Sequence, residues 1–152
     1  MRLIYKTEGG LAFEEFMNTP DVPYAILSHR WYGEGEVTFD ELLAQGPTSS
    51  GAAQHVGDPR ERSWAKIHGT LRQAMADGFR YIWIDTSCID KRSSAELSES
   101  INSMYKWYSL SKVCYVYLWD VDGHDEQLTD HSAPDLLSRF TDSQWFTRGW
   151  SV

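Results

Sequence analysis

The chain has 152 residues, 41% of them hydrophobic and 14% aromatic, with seven Trp and eight Tyr. That is enough apolar material for one domain with a sizeable core, and it excludes a disordered segment. The net charge of -8 argues against nucleic-acid binding, which needs a basic footprint. No apolar run reaches the roughly 18 residues of a membrane span, and the first residues lack the pattern of a secretory signal.

In chain order, Met1 to Tyr5 reads as a short strand or an ordered arm, and Asp21-Val22-Pro23 as a turn. Tyr24 to Ser28 is a short apolar run of the kind that forms a buried strand. Thr38 and Glu41 have capping-box spacing, so a short helix should run to Gln45 and stop at Gly46-Pro47. Residues 46–60, rich in Gly, Ser, Ala, Pro and Gln, read as a surface loop.

From Ser63 the pattern is helical, with Trp64, Ile67, Leu71, Ala74 and Met75 on one face and Asp77-Gly78 as the stop. Phe79 to Ile84 is a second strand, ending at Asp85. Ser93 and Glu96 repeat the capping-box spacing. A longer helix follows, with Leu97, Ile101, Met104, Tyr105 and Tyr108 as its expected buried stripe. Val113 to Leu118 is a third strand ending at Trp119-Asp120, residues 121–133 form a loop, and Pro134 suits the first turn of a small helix.

Strands alternating with helical crossovers predict an α/β fold, a parallel sheet with helices on its faces. Ligands of such sheets collect beyond the carboxyl ends of the strands. Three places qualify: Ser28 to Trp31, Asp85 to Asp90, and Asp120. Arg30, Asp85 and Asp120 are expected on one shared rim. His29, Asp85 and Asp120 are chemically able to bind a metal, but no spacing calls for one. The two cysteines, Cys88 and Cys114, form no disulfide framework and suit a reduced, cytoplasmic setting.

Four segments together are similar to the fungal heterokaryon-incompatibility (HET) domain. Tyr24 to Trp31, YAILSHRW, resembles that family's Y-x-x-L-S-x-x-W opening. Tyr81 to Lys91, YIWIDTSCIDK, resembles its W-x-D-x-x-C-I-D-Q core, with Lys91 in place of the usual Gln and Ser87 where Leu is common. Glu96 to Leu118 resembles its central helix and following strand. Ser143 to Trp150, SQWFTRGW, resembles its S-x-W-F-x-R-G-W segment. The order is the family's own, so the domain is expected to occupy 1–152. The family usually continues with T-L-Q-E-L where this chain has Ser151-Val152, which reads either as a truncation or as a departure of this protein from the family pattern.

HET domains in turn resemble TIR domains, which have a flavodoxin-like fold and of which many cleave NAD at the nicotinamide–ribose bond. The resemblance implies a role in fungal non-self recognition and programmed cell death, akin to innate immunity. It leaves two mechanisms open. In one, the complete domain is an NAD glycohydrolase, with NAD as substrate rather than cofactor. In the other, the domain performs no chemistry and passes on a death signal by homotypic self-association. The TIR catalytic Glu would fall beyond Val152, so little turnover is expected of these 152 residues.

Residue by residue, each functional reading has a structural alternative. Asp85 and Asp90 suit the stabilisation of an oxocarbenium-like state or the binding of ribose hydroxyls, or they cap a loop. Arg30 suits a phosphate, or pairs with Asp85 or Asp120. Trp31 suits stacking on a base or nicotinamide ring, or packing under the sheet edge, with Ser28 beside it. Glu96 is the best acid within the chain, or simply a helix cap. Cys88 is expected to be a small buried thiol rather than a nucleophile. Trp145, Arg148 and Trp150 form an interaction surface or close the sheet.

Overall fold

A computed structural model describes residues 1–31, 33–45, 58–121 and 133–147. The elements in order are β1 (Arg2–Thr7), β2 (Gly10–Glu15), β3 (Tyr24–His29), α1 (Phe39–Gln45), α2 (Pro59–Ala76), β4 (Tyr81–Trp83), α3 (Asp85–Cys88), α4 (Ser94–Leu110), β5 (Val113–Tyr117) and α5 (Ala133–Thr141). The strands form one five-stranded sheet in the order β2-β1-β4-β3-β5. This is an α/β fold, and a flavodoxin-like arrangement is compatible with it.

The sheet is mixed. β3 and β4 are parallel, as the helical crossover between them requires. β1 pairs antiparallel with both β2 and β4. The β1–β2 hairpin turns through Thr7-Glu8-Gly9-Gly10, where the Gly-Gly pair is a turn cue that the reading of Met1 to Tyr5 as a strand or arm leaves unused. Gly10 supplies the positive φ that the hairpin needs. Every residue of β3 is buried; the apolar run Tyr24 to Leu27 foretells this, but Ser28 and His29, expected in a polar cluster at the strand's end, are buried as well.

The chain packs as two compact units. One is Met1–Leu27 with Trp31–Tyr115, and the other is Ser28–Arg30 with Val116–Val152. In the first, Leu3, Ile4, Ile26, Ile67, Ile82 and Trp83 are fully buried and form the core.

The helices show where sequence pattern and packing part company. Thr38 does begin a cap: Glu41 accepts from both its backbone N–H and its hydroxyl, each at 2.9 Å. α2 starts at Pro59 rather than Ser63, because Asp58 accepts from the Arg60 N–H and Pro59 needs no partner at the first turn. It ends at Ala76, capped by Asp77 and followed by Gly78 at φ 85°.

The expected α2 face is corrected at one end: Met75 is 50% exposed, while Ser63, Lys66 and Thr70 are buried. The α4 stripe is corrected more strongly. Ile101 and Tyr105 are exposed, and Ser100 and Trp107 are the residues turned inward. The physical reason is Trp107, whose ring meets Trp83 edge-on at 5.5 Å and rotates the helix toward itself. The segments 46–57 and 122–132, most of the two expected loops, lie outside the described residues.

Candidate functional site

The parallel pair β3–β4 directs attention to the carboxyl end of β4. There the chain turns into α3, and Asp85 begins that turn, 4% exposed. The indole Nε1–H of Trp31 donates to Asp85 Oδ2 at 3.0 Å. Trp31 is nevertheless 47% exposed. Lys91 lies over the Trp31 ring, its ammonium 3.8 Å from the ring centroid. Lys91 is exposed as a residue, but partial desolvation of its ammonium against the rim lowers its pKa below the ordinary lysine value, while the charges of Asp85 and Glu36 pull the other way. A carboxylate, a half-open aromatic plane and a cation thus meet at the end of a parallel strand.

The loop that carries Trp31 is clamped from below. Lys66 of α2 reaches both carboxylate oxygens of Glu36 at 2.7 Å, and both side chains are buried. Ser63 donates its hydroxyl to Glu36 at 3.0 Å and accepts from the Val37 N–H at 2.9 Å. Ser87 donates to the Val37 carbonyl at 2.8 Å, which ties the same loop to α3. Gly35 lies so close to Pro59 that an added Cβ would sit 2.3 Å from the proline Cβ. No spacing signal marks Glu36 and Lys66 as partners, so sequence reasoning misses them; Lys91 stands in a recognised motif, but its placement over Trp31 is not legible there.

A cleft of about 360 Å³ opens elsewhere in the same unit, lined by Arg2, Glu15, Met17, Trp83, Glu96 and Trp107 among others. Glu96 belongs to this cleft, not to the Asp85 cluster. Its carboxylate takes Arg2 at 2.9 Å and the Asp90 N–H at 2.8 Å, while its own N–H donates to Ser93. Arg2 also bonds the Cys88 carbonyl and Glu15, and lies over the Phe39 ring. Glu96 therefore ties β1 to the start of α4. Cys88, 2% exposed, has its thiol pushed up to about 12 by burial, which leaves no thiolate for nucleophilic chemistry near neutral pH. We favour the Asp85 cluster over the cleft as the ligand site, because the cleft's Arg2 is already matched to two carboxylates.

The second unit brings together Ser28, Arg30, Asp120 and Trp145. Asp120 accepts from the Ser143 hydroxyl and from the Gln144 N–H, each at 2.7 Å. Burial works against its charge, but these two donors and the nearby Arg30 outweigh it and lower its pKa. Arg30 donates to the Gln144 carbonyl at 3.2 Å and to Thr147 at 2.9 Å. The Trp145 indole donates to Ser28 at 3.2 Å. This set fastens the Gln144–Thr147 turn.

Asp90, in the first unit, holds Arg92 through side-chain and backbone bonds, and those bonds lower its pKa. Arg148 and Trp150 lie outside the described residues. Among the described residues, no group of three or more His, Cys, Asp or Glu side chains is placed to hold a metal ion. Among them too, no helix is long and apolar enough to cross a membrane.

Comparison with known proteins bears on this geometry. A family model described as heterokaryon incompatibility protein (HET) matches residues 24–135. Vegetative incompatibility protein HET-E-1 of Podospora anserina is 38% identical over an alignment of 159 residues, which takes in all of this chain and 10% of that protein. The chain thus spans about a tenth of that relative's length. No solved structure matches.

Proposed function

The chain belongs to the heterokaryon-incompatibility (HET) family, and on that premise we propose that it acts in fungal non-self recognition, the complete domain delivering cell death by cleaving NAD. The observation that carries the chemical part is the cluster of Trp31, Asp85 and Lys91 at the carboxyl end of β4. A half-open indole offers a stacking plane, and a lysine offers a phosphate partner. The Asp85 carboxylate holds negative charge beside the ring, where a positive nicotinamide or oxocarbenium-like centre is stabilised. NAD enters this reading as substrate, with no further cofactor, in the reduced cytoplasm.

The test uses a longer protein that contains this domain. Incubated with NAD, it should release nicotinamide, measured by chromatography, and Asp85→Ala should remove at least nine-tenths of that release. An undiminished NAD pool in cells that are dying by incompatibility would overturn the chemistry and leave the family role.

A second reading, signalling by homotypic contacts, is favoured by a separate observation in the second unit. Leu137, Phe140 and Phe146 are all exposed, and the two phenyl rings meet edge-on at 5.2 Å. Such a patch suits association with another copy. In that case sedimentation should show concentration-dependent oligomers that Phe140→Ser disperses.

A further inference from the structure

We propose that Lys91 sets the ligand selectivity of this rim: it covers one face of the Trp31 ring, and passes to the ligand's phosphate when a planar ring takes that face. The inference rests on the nucleotide reading above and narrows it to aromatic rings that carry an anionic group.

The argument starts from contact distance. An ammonium 3.8 Å from the ring centroid is in van der Waals contact with the indole. No aromatic ring can stack on that face while the ammonium stays. A ring that takes this face must displace one of the two partners, and the structure decides which. Trp31 is pinned by its N–H bond to the buried Asp85. The loop that follows it is held by the Glu36–Lys66 pair and by Ser63 and Ser87. Lys91 is exposed and sits on a flexible four-carbon stem. The lysine is the part that yields.

A displaced ammonium needs a new partner. The two carboxylates whose charge it senses are Asp85 and Glu36. Asp85 already takes the Trp31 indole, and Glu36 already takes Lys66 and Ser63. A phosphate on the incoming ligand supplies the missing anion. A ligand with the same ring and no phosphate removes the cation–π contact and returns the ammonium only to water. The rim therefore prefers a nucleotide to its nucleoside.

AMP and adenosine are the probes, since they share one ring and differ by the phosphate. Binding is followed by the Trp31 Nε1–H resonance in a titration of the 152-residue chain, with Trp31→Phe used for assignment. The wild type should bind AMP at least tenfold more tightly than adenosine. In Lys91→Gln that preference should fall by about tenfold, with adenosine binding unchanged or tighter, and Lys91→Arg should retain it. An AMP preference that persists in Lys91→Gln overturns the role of Lys91 and leaves the nucleotide reading intact. Failure of the wild type to bind either probe overturns both.

Discussion

The chain uses charge in two contrasting ways. Around Glu36 and Lys66, in the first unit, opposite charges are sealed from water, with side-chain exposures of 5% and 0%. Around Asp120, in the second, a carboxylate near the surface gathers short bonds from a hydroxyl and a backbone N–H. Both arrangements hold a loop. The buried pair acts all or nothing, because a charge left alone in a dry interior has no water to turn to. The Asp120 set is gradual, because solvent and salt screen it and protonation relaxes it. A rigid clamp thus stands beneath the Trp31 rim, and an adjustable one fastens the Gln144–Thr147 turn.

The strongest way to break this contrast is to remove one buried charge. Lys66→Met keeps the length and apolar stem of the side chain but takes from buried Glu36 the ammonium that both its oxygens hold. Denaturant unfolding should show a loss of about 3–5 kcal/mol, a large share of a typical domain's stability. Lys66→Met combined with Glu36→Leu should recover most of that loss, since an apolar pair of similar volume is often as stable as a buried ion pair. If the double variant is no better than the single, the penalty comes from packing and not from the uncompensated carboxylate.

A smaller effect is expected from the backbone contact beside the pair. Gly35→Ala places a methyl group 2.3 Å from the Pro59 Cβ, with the Pro59 carbonyl carbon at 3.0 Å. Neither neighbour is the tip of a flexible side chain, so the loop or the start of α2 must shift. The loss should be about 1–3 kcal/mol, and the Trp31 indole resonance should move with it. A variant of wild-type stability would show that the approach of the two segments is looser than this geometry.

These contrasts also mark what is legible in the sequence. β3 and β4 are readable because a buried strand is an unbroken apolar run, and the parallel pairing follows from the helix between them. The caps at Thr38 and Ser93 are readable because their partners lie three residues away. The β1–β2 hairpin is marked only by Gly9-Gly10, because β2 is half-buried and shows no clean alternation of apolar and polar residues. The inward face of α4 is hidden because a single contact, Trp107 against Trp83, outweighs a longer but weaker apolar stripe.

The candidate site divides in the same way. Trp31 and Asp85 are marked by their position at strand ends. That they bond to each other, and that Lys91 covers the ring, depends on how loops fold back. The clamp of Glu36 on Lys66 joins residues with no periodic relation. Glu96 is readable as a cap, but its link to Arg2 crosses most of the first unit.

The mildest test concerns Asp120 and sharpens the gradual side of the contrast. Its pKa is lowered in the folded chain, whereas an unfolded aspartate titrates at about 3.9. Above that value both states are ionised, and the bonds to Ser143 and Gln144 contribute in full. As pH falls through the lowered folded value, protonation relaxes the set and its contribution is lost. Screening keeps that contribution to about 1 kcal/mol or less. Asp120→Asn removes the charge at every pH and leaves one acceptor oxygen where the carboxylate had two. The melting temperatures of the two proteins should therefore differ near neutral pH and converge as pH falls below the ordinary aspartate value of about 3.9. High salt should narrow the gap in the same direction, while leaving the Lys66→Met penalty unchanged. A gap that is independent of both pH and salt would mean that Asp120 holds the turn by shape alone, and the distinction between a sealed clamp and an adjustable one would fail at this residue.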